Sequence, residues 1–339
     1  MNLCIIFGGK SSEYEVSLRS ACAVLENIDK SKYDIVKIGI TKNGKWYKTD
    51  ASPSEIAADE WQRGAKELVC DLNRGVFVTS EKEIIKPDVV FPVMHGENVE
   101  NGTLQGVFEA MNVKYIGCNV KSSALAYDKH FSKLIAEICG IKVAKYRIAR
   151  RWESAEKILK RAKGLEYPVF VKPAEGGSSC GITKVKGVNN LLKALDFAFE
   201  YCDKVIIEEQ VVGKEVEIAI AQSNGKIVMT ECGEITYSSD FYDYDTKYKS
   251  NDVGYQIPAN IDTSLEKKLK SQAKRLFCEM GCTGLSRIDF FVTENEVIFN
   301  EINTLPGFTE ASMFPMLFEK KGVSFKRLID MLIKNVNFY

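Results

Sequence analysis

Histidine is nearly missing from this chain: His95 and His130 are the only two in 339 residues, which leaves no set for a multi-histidine metal centre. The ten cysteines stand singly, Cys4, Cys22, Cys118, Cys139 and Cys232 in apolar segments among them, with no CxxC pair and no metal-ligand spacing. They read as reduced packing residues and not as a disulfide framework. No apolar run approaches the length of a membrane span, and the opening MNLCIIFGGK is broken by glycine too soon for a signal peptide. A cytoplasmic protein without a membrane partner is therefore expected. An excess of either charge is also lacking, since 46 Lys and Arg face 46 Asp and Glu without a like-charge block. That excludes the basic footprint of a nucleic-acid binder and points to a small-molecule partner. Neither GxxxxGK[ST] nor GxGxxG occurs, so the common phosphate-loop and dinucleotide signatures are out.

What is present is a chain long enough for two or three domains around a cleft. LCIIFGG, YDIVKIGIT and DVVFPVMHG read as strands alternating with the helices SSEYEVSLRSACAVLENI and GTLQGVFEAMN, followed by a further strand VKYIGC. The pattern predicts an open α/β (Rossmann-like) layer through about residue 120. One helix is expected from Ser122 to Gly140, then an α+β block with the strands YPVFVKP and KVIIEEQV, then the strands EVEIAIAQ and KIVMTECGEI. The polar, tyrosine-rich stretch from Tyr237 to Tyr255 is long for a loop in a compact domain, and such loops are commonly lids.

The stretch SRIDFFVTENEVIFNEIN carries the chemistry most openly. RIDFFV and VIFNEIN have strand composition and TENE is a polar turn, so they form a hairpin. With the turn centred on Asn295, Asp289 lies opposite Glu301 and Arg287 opposite Asn303, all on one face. Two carboxylates on cross-strand neighbours, whose Cβ atoms lie ~5 Å apart, repel unless a cation lies between them, and two acids with an amide oxygen are donors that Mg2+ selects. The alternative is a solvated face with an ordinary ion pair between Arg287 and Asp289 or Glu301. EGGSSCG, with Lys172 on the strand before it, can approach a phosphate through backbone N–H groups and hydroxyls, although a glycine-serine turn alone is more often only a turn. In VIIEEQVVGKEVEI, Glu208 and Glu215 suit an adenine amine and ribose hydroxyls; the plain alternative is surface glutamate. FGGKSSEYEVS offers a helix start with Ser11 or Ser12 as cap and Glu13 in the first turn, either a dipole complement or a receptor for a substrate ammonium. HGENVENGTLQG is a loop between strand and helix in which His95 is either functional or a packing residue.

Taken in order, FGGKSSEYEVSLRSA, FPVMHGENVENGTLQGVFE, YDKHFSK, VFVKPAEGGSSCGITKV, VIIEEQVVGKEVE, FYDYDTKY and GLSRIDFF with NEINTLPGFT resemble the D-alanine:D-alanine ligases of the ATP-grasp superfamily over essentially the whole chain. The resemblance implies three domains: an N-terminal α/β substrate-binding domain (1–121), a central ATP-grasp domain (122–213) and a C-terminal ATP-grasp domain with lid and metal site (214–339). It implies an ATP-dependent ligase acting through an acyl phosphate to supply D-alanyl-D-alanine for peptidoglycan, with two Mg2+ ions or Mn2+ in their place, and a homodimer. Carried over by position, Lys129, Lys172 and Ser179 meet nucleotide phosphates. Glu208, Glu209, Val211, Glu215 and Asn300 line the nucleotide, and Asp289, Glu301 (bridging) and Asn303 hold the metals. Arg287 and the Gly307 N–H face the oxyanion; Glu13 takes the first ammonium and links through Ser178 to Tyr248; His95 lies near the first substrate, and Lys247, Ser312 and Met313 near the second. The chain departs from the family's HGxxGEDG at Val99 and Asn101, and from D-alanine:D-serine ligases at Thr246 and Met313. The apolar Met313 favours D-alanine over the alternative product, D-alanyl-D-serine, because a substrate hydroxyl is rewarded only by a polar partner. A catalytically silent nucleotide sensor is the remaining alternative. It has no use for Arg287 among the acids.

Overall fold

The computed structural model describes residues 1–236 and 254–338. The segment 237–253, which carries most of the expected lid with Thr246, Lys247 and Tyr248, lies outside the described residues. Three sheets make up the described chain. The first contains β1 (Asn2–Gly8), β2 (Asp34–Ile40), β3 (Trp46–Thr49), β4 (Lys66–Asp71), β5 (Val76–Thr79), β6 (Ile84–Ile85) and β7 (Val89–Pro92), in the order β6-β5-β4-β3-β2-β1-β7. Only β2, β1 and β7 run parallel, and the rest is an antiparallel extension. The run Leu3–Phe7 is wholly buried, as a parallel strand covered on both faces must be. Val113–Cys118, expected as a strand, makes only a single bridge between Tyr115 and Val90.

The second sheet is antiparallel, β10 (Thr183–Val185), β9 (Val169–Pro173), β11 (Lys204–Glu209) and β8 (Tyr146–Arg150) in that order. One face packs Val169, Val171, Val205 and Ile207 against the helices Ala155–Ala162 and Leu191–Phe199. Period-two alternation turns Phe170, Lys172 and Glu208 to the other face. The third sheet runs β14 (Gly254–Gln256), β13 (Lys226–Thr236), β12 (Lys214–Ser223), β15 (Leu285–Val292), β16 (Val297–Asn303), all antiparallel. Its back carries Val216, Ile218, Ile288 and Phe290 against the helix Thr263–Glu279.

The helix expected from Ser122 to Gly140 is two, Val120–Tyr127 and Lys129–Ile138, broken where the extended Asp128 accepts hydrogen bonds from the His130 and Phe131 amides. These helices send Ala126 and Ala136 into the core beneath the third sheet. A second core joins the first sheet to the third: Leu3, Ile5 and Phe7 continue through Phe308, Met313, Phe314 and Leu317 to Ala219 and Ala221. Buried apolar contact of this extent fixes the first and third sheets to each other, and the candidate site residues lie between all three.

Candidate active site

A cleft of about 840 Å³ opens between the three sheets. Every candidate residue within the described chain lines it, from Glu13 and His95 through Lys129, Lys172, Ser178, Ser179, Glu208, Glu209, Val211 and Glu215 to Arg287, Asp289, Asn300, Glu301, Asn303, Gly307, Ser312 and Met313. Lys247 and Tyr248 fall outside the described residues.

The hairpin has the expected pairing, Asp289 opposite Glu301 and Arg287 opposite Asn303. It reaches that pairing by a different route. Val292 pairs Val297 and Phe290 pairs Phe299, so the four-residue turn is centred half a position earlier than Asn295, and a bulge at Asn300 restores the register. β12 adds what the sequence reading missed. Glu217 is the ladder partner of Asp289, so Glu217, Asp289 and Glu301 form one transverse row of acids across three strands. Its signal was the alternation Glu215–Val216–Glu217–Ile218, in which Glu217 must share the face of Glu215.

Arg287 is bound into this row. Its Nε donates to Asp289 Oδ1 at 2.8 Å and its Nη2 to Oδ2 at 2.7 Å, with Glu217 Oε2 3.1 Å from Nε and Asn303 Nδ2 donating to Asp289 Oδ2 at 3.0 Å. Burial acts to depress the guanidinium pKa, but Asp289 and Glu217 hold it well above its ordinary value. The ion pair of the plainer reading thus exists within the cleft. Among the described residues no group of three acids, histidines or cysteines is poised to hold a metal by itself. Asp289, Glu301 and Asn303 fit the other way of holding Mg2+, one or two carboxylates completed by substrate phosphates.

At the opposite wall, Ser178 and Ser179 adopt left-handed backbone angles, φ 51° and 58°, costly for non-glycine residues and typical of functional loops. The Ser178 hydroxyl donates to Glu13 Oε1. Two glycines enclose that carboxylate: a Cβ on Gly96 or on Gly177 would stand 2.8 Å from Glu13 Oε2. Glu13 is the N-cap of the helix Tyr14–Asn27, without a side-chain capping bond, and Ser11 instead accepts the Glu13 amide with its hydroxyl. The expected cap therefore sits outside the helix, and the Glu13 side chain is turned into the cleft. Beside it, Glu100 accepts from the Gly96 amide at 3.0 Å, and burial together with the Glu13 charge pushes its carboxyl up to about 8.

Lys129 opens the second of the two broken helices and spans the cleft, donating to Gly176 O at 2.6 Å with Glu301 Oε2 at 3.5 Å. Lys172 and Glu208 are diagonal neighbours on β9 and β11, and Glu208 pairs with both Lys172 and the buried Lys133. Lys133 was also missed; it lies four residues after Lys129, hence on the same helix face. The Glu209 carboxylate turns away, accepting the Glu166 amide at 2.8 Å with Lys145 3.1 Å off. Both His95 ring nitrogens meet protein groups, Nδ1 with Leu305 O at 2.9 Å and Nε2 with Ser20 Oγ at 3.0 Å, so this histidine ties the first sheet to the loop after β16.

Around the positions expected to meet the second substrate, Ser312 Oγ accepts the Thr309 amide at 3.1 Å, and Ser312 precedes the helix Met313–Lys320. The Gly307 N–H donates to no protein acceptor among the described residues. Met313 packs down onto β13, where a Cβ at Gly233 would stand 2.7 Å from its sulfur.

Residues 2–118 match the family described as D-ala D-ala ligase N-terminus and residues 135–334 the one described as D-ala D-ala ligase C-terminus. The chain belongs to the D-alanine–D-alanine ligase family. Among members of that family it is 40% identical to D-alanine–D-alanine ligase B of Clostridium tetani, covering 98% of this chain and 93% of that one. It is 41% identical to a D-alanine–D-alanine ligase of Acetivibrio thermocellus, covering 97% and 94%. The VanG D-Ala:D-Ser ligase of Enterococcus faecalis superposes with a TM-score of 0.91 at 40% identity over 99% of both chains. The D-alanine-D-alanine ligase of Coxiella burnetii superposes at 0.86 with 30% identity, over 100% of this chain and 96% of that one. The family and these neighbours carry the ATP-grasp fold expected from the sequence.

Proposed function

We propose that this protein is an ATP-dependent ligase that joins two D-alanine molecules into D-alanyl-D-alanine, a peptidoglycan precursor, in the cytoplasm. The observation that carries the reading is the convergence of all described candidate residues on one cleft, with an ammonium-accepting end at Glu13 and a nucleotide end at Lys129, Lys172 and the acid row. The carboxylate of the first D-alanine attacks the terminal phosphorus of ATP, and ADP leaves. Glu13, held by Ser178, anchors that substrate's ammonium, while Lys129, Lys172 and the loop at Ser179 neutralise phosphate charge. The amine of the second D-alanine then attacks the acyl phosphate carbonyl and phosphate departs. Arg287 and the Gly307 N–H stand where the tetrahedral oxyanion develops, as donors fixed before charge forms. Mg2+ or Mn2+, held by Asp289, Glu301 and Asn303 together with the phosphates, supplies charge neutralisation when bound.

Glu208, Val211, Glu215 and Asn300 border the nucleotide in this reading, and the positive end of the helix Met313–Lys320 with Ser312 receives the second carboxylate. The divisions 1–121, 122–213 and 214–339, a lid carrying Lys247 and Tyr248, and a homodimer belong to the same proposal. The likeness to a D-Ala:D-Ser ligase keeps D-serine as the second reading. Against it, Met313 offers no polar partner to a hydroxyl. Phosphate release in the presence of ATP and Mg2+ tests the assignment. It is expected to require D-alanine, with D-serine a poor second substrate; release without either amino acid, or none with both, rejects it.

A further inference from the structure

At the nucleotide end of the cleft, one buried carboxylate, Glu208, is shared by two lysines. Glu208 is 3% exposed; Lys133 and Lys172 pair with its two different oxygens, Lys133 with Oε1 and Lys172 with Oε2. Lys133, at 1% exposure, is the most deeply buried lysine of the described chain, and Glu208 is its one ion partner among the described residues. Burial pushes the Lys133 ammonium pKa down against the pull of Glu208. Burial would likewise raise the Glu208 carboxyl, but Lys133 and Lys172 overcome it and hold the group below its ordinary value. A full positive charge with no contact to solvent is costly unless it answers a need elsewhere.

That need is visible in the position of Lys172. It lines the cleft, and its Nζ is the group able to meet a nucleotide phosphate, yet it is held by Glu208. If Glu208 had Lys172 alone, each phosphate contact would leave a buried carboxylate uncompensated, and removing one partner from a buried pair is strongly unfavourable. With Lys133 fixed on Oε1, Glu208 remains neutralised when Lys172 turns to the phosphate. We propose that Lys133 is a positioning residue for nucleotide binding: it touches no substrate, and by sharing Glu208 it frees Lys172 to bind phosphate. The inference rests on the nucleotide reading of this cleft and names the residue that makes its Lys172 available.

The test is a double-mutant cycle of ATP affinity, measured by titration calorimetry on wild type, Lys133→Met, Glu208→Gln and the double variant, with circular dichroism as the folding check. Lys133→Met is expected to weaken ATP binding by at least ~10-fold, because Lys172 becomes the sole counter-ion of Glu208. In the Glu208→Gln background no carboxylate remains to hold Lys172, so adding Lys133→Met is expected to change affinity less than ~2-fold. Lys133→Arg, which keeps the charge, is expected to stay within ~3-fold of wild type. An equal loss in both backgrounds, or no loss in the Glu208 background that is wild type, overturns the inference. Should Lys133→Met fail to fold, the pair Glu208→Gln and double variant still decides, since a further loss on adding Lys133→Met contradicts the mechanism. Absence of ATP binding by wild type would instead sink the nucleotide reading itself.

Discussion

Glu13 and Glu100 show how single side chains set the end of the cleft that the proposed function assigns to the first substrate. The Glu13 carboxylate occupies the space that side chains at Gly96 and Gly177 would need. Gly177, unlike Gly96, does not lie in the left-handed region, so alanine is compatible with its backbone and its methyl would act only by displacing the carboxylate. Gly177→Ala is expected to raise the KM for D-alanine by about 10-fold or more while leaving the KM for ATP within a few-fold, as steady-state kinetics would show. Glu100 makes a separate prediction in pH. Its folded pKa, about 8, lies above the carboxylate value of the unfolded chain, so the folded state binds the extra proton between those values. The Glu100 contribution is therefore fully stabilising below about pH 4.5, is lost as pH rises toward about 8, and is flat beyond. Thermal melts across that window should show a decline in Tm that Glu100→Gln makes shallower; an unchanged slope would contradict the assignment.

At the scale of elements, the hairpin β15–β16 carries the arrangement, and its bulge is a working part. Because side chains alternate, a one-residue change in register turns a whole strand over. Inserting a single alanine between Asn300 and Glu301, with Phe299 in place and one bulge kept, would shift the register by one and turn Glu301 and Asn303 toward the core that Ile302 now fills. That variant is expected to lose divalent-cation and ATP binding and to be destabilised by at least ~3 kcal/mol, read from denaturant unfolding, through buried charge and lost packing. The pairing of Asp289 with Glu301 was legible in the sequence, since strand composition and a short polar turn nearly fix it. The bulge was not, because a half-position error in the turn and one extra residue cancel. Glu217 was legible from its alternation with Glu215, but only a neighbouring strand makes it significant, and no local pattern says that β12 lies beside β15. The break at Asp128 was missed for a related reason: Asp is tolerated within a helix by propensity, and its capping of the next helix appears only when the chain turns.

For the whole molecule, the three sheets matter less individually than the space they leave. The core running from β1 through Phe308 and Met313 to Ala219 sets the Glu13 end of the cleft against the acid row. Lys129 then pairs with Glu301, Ser178 bonds to Glu13 and His95 to the Leu305 carbonyl, each across a long stretch of sequence. Family resemblance made most of these residues legible one by one, while their convergence depends on long-range packing that no segment encodes. The most direct measurement of the account uses D-alanine labelled with 18O in its carboxylate, incubated with ATP and Mg2+, with the released phosphate analysed by mass spectrometry. Attack of that carboxylate on ATP predicts one labelled oxygen in each phosphate released per dipeptide formed; unlabelled phosphate accompanying dipeptide formation would contradict the acyl-phosphate route.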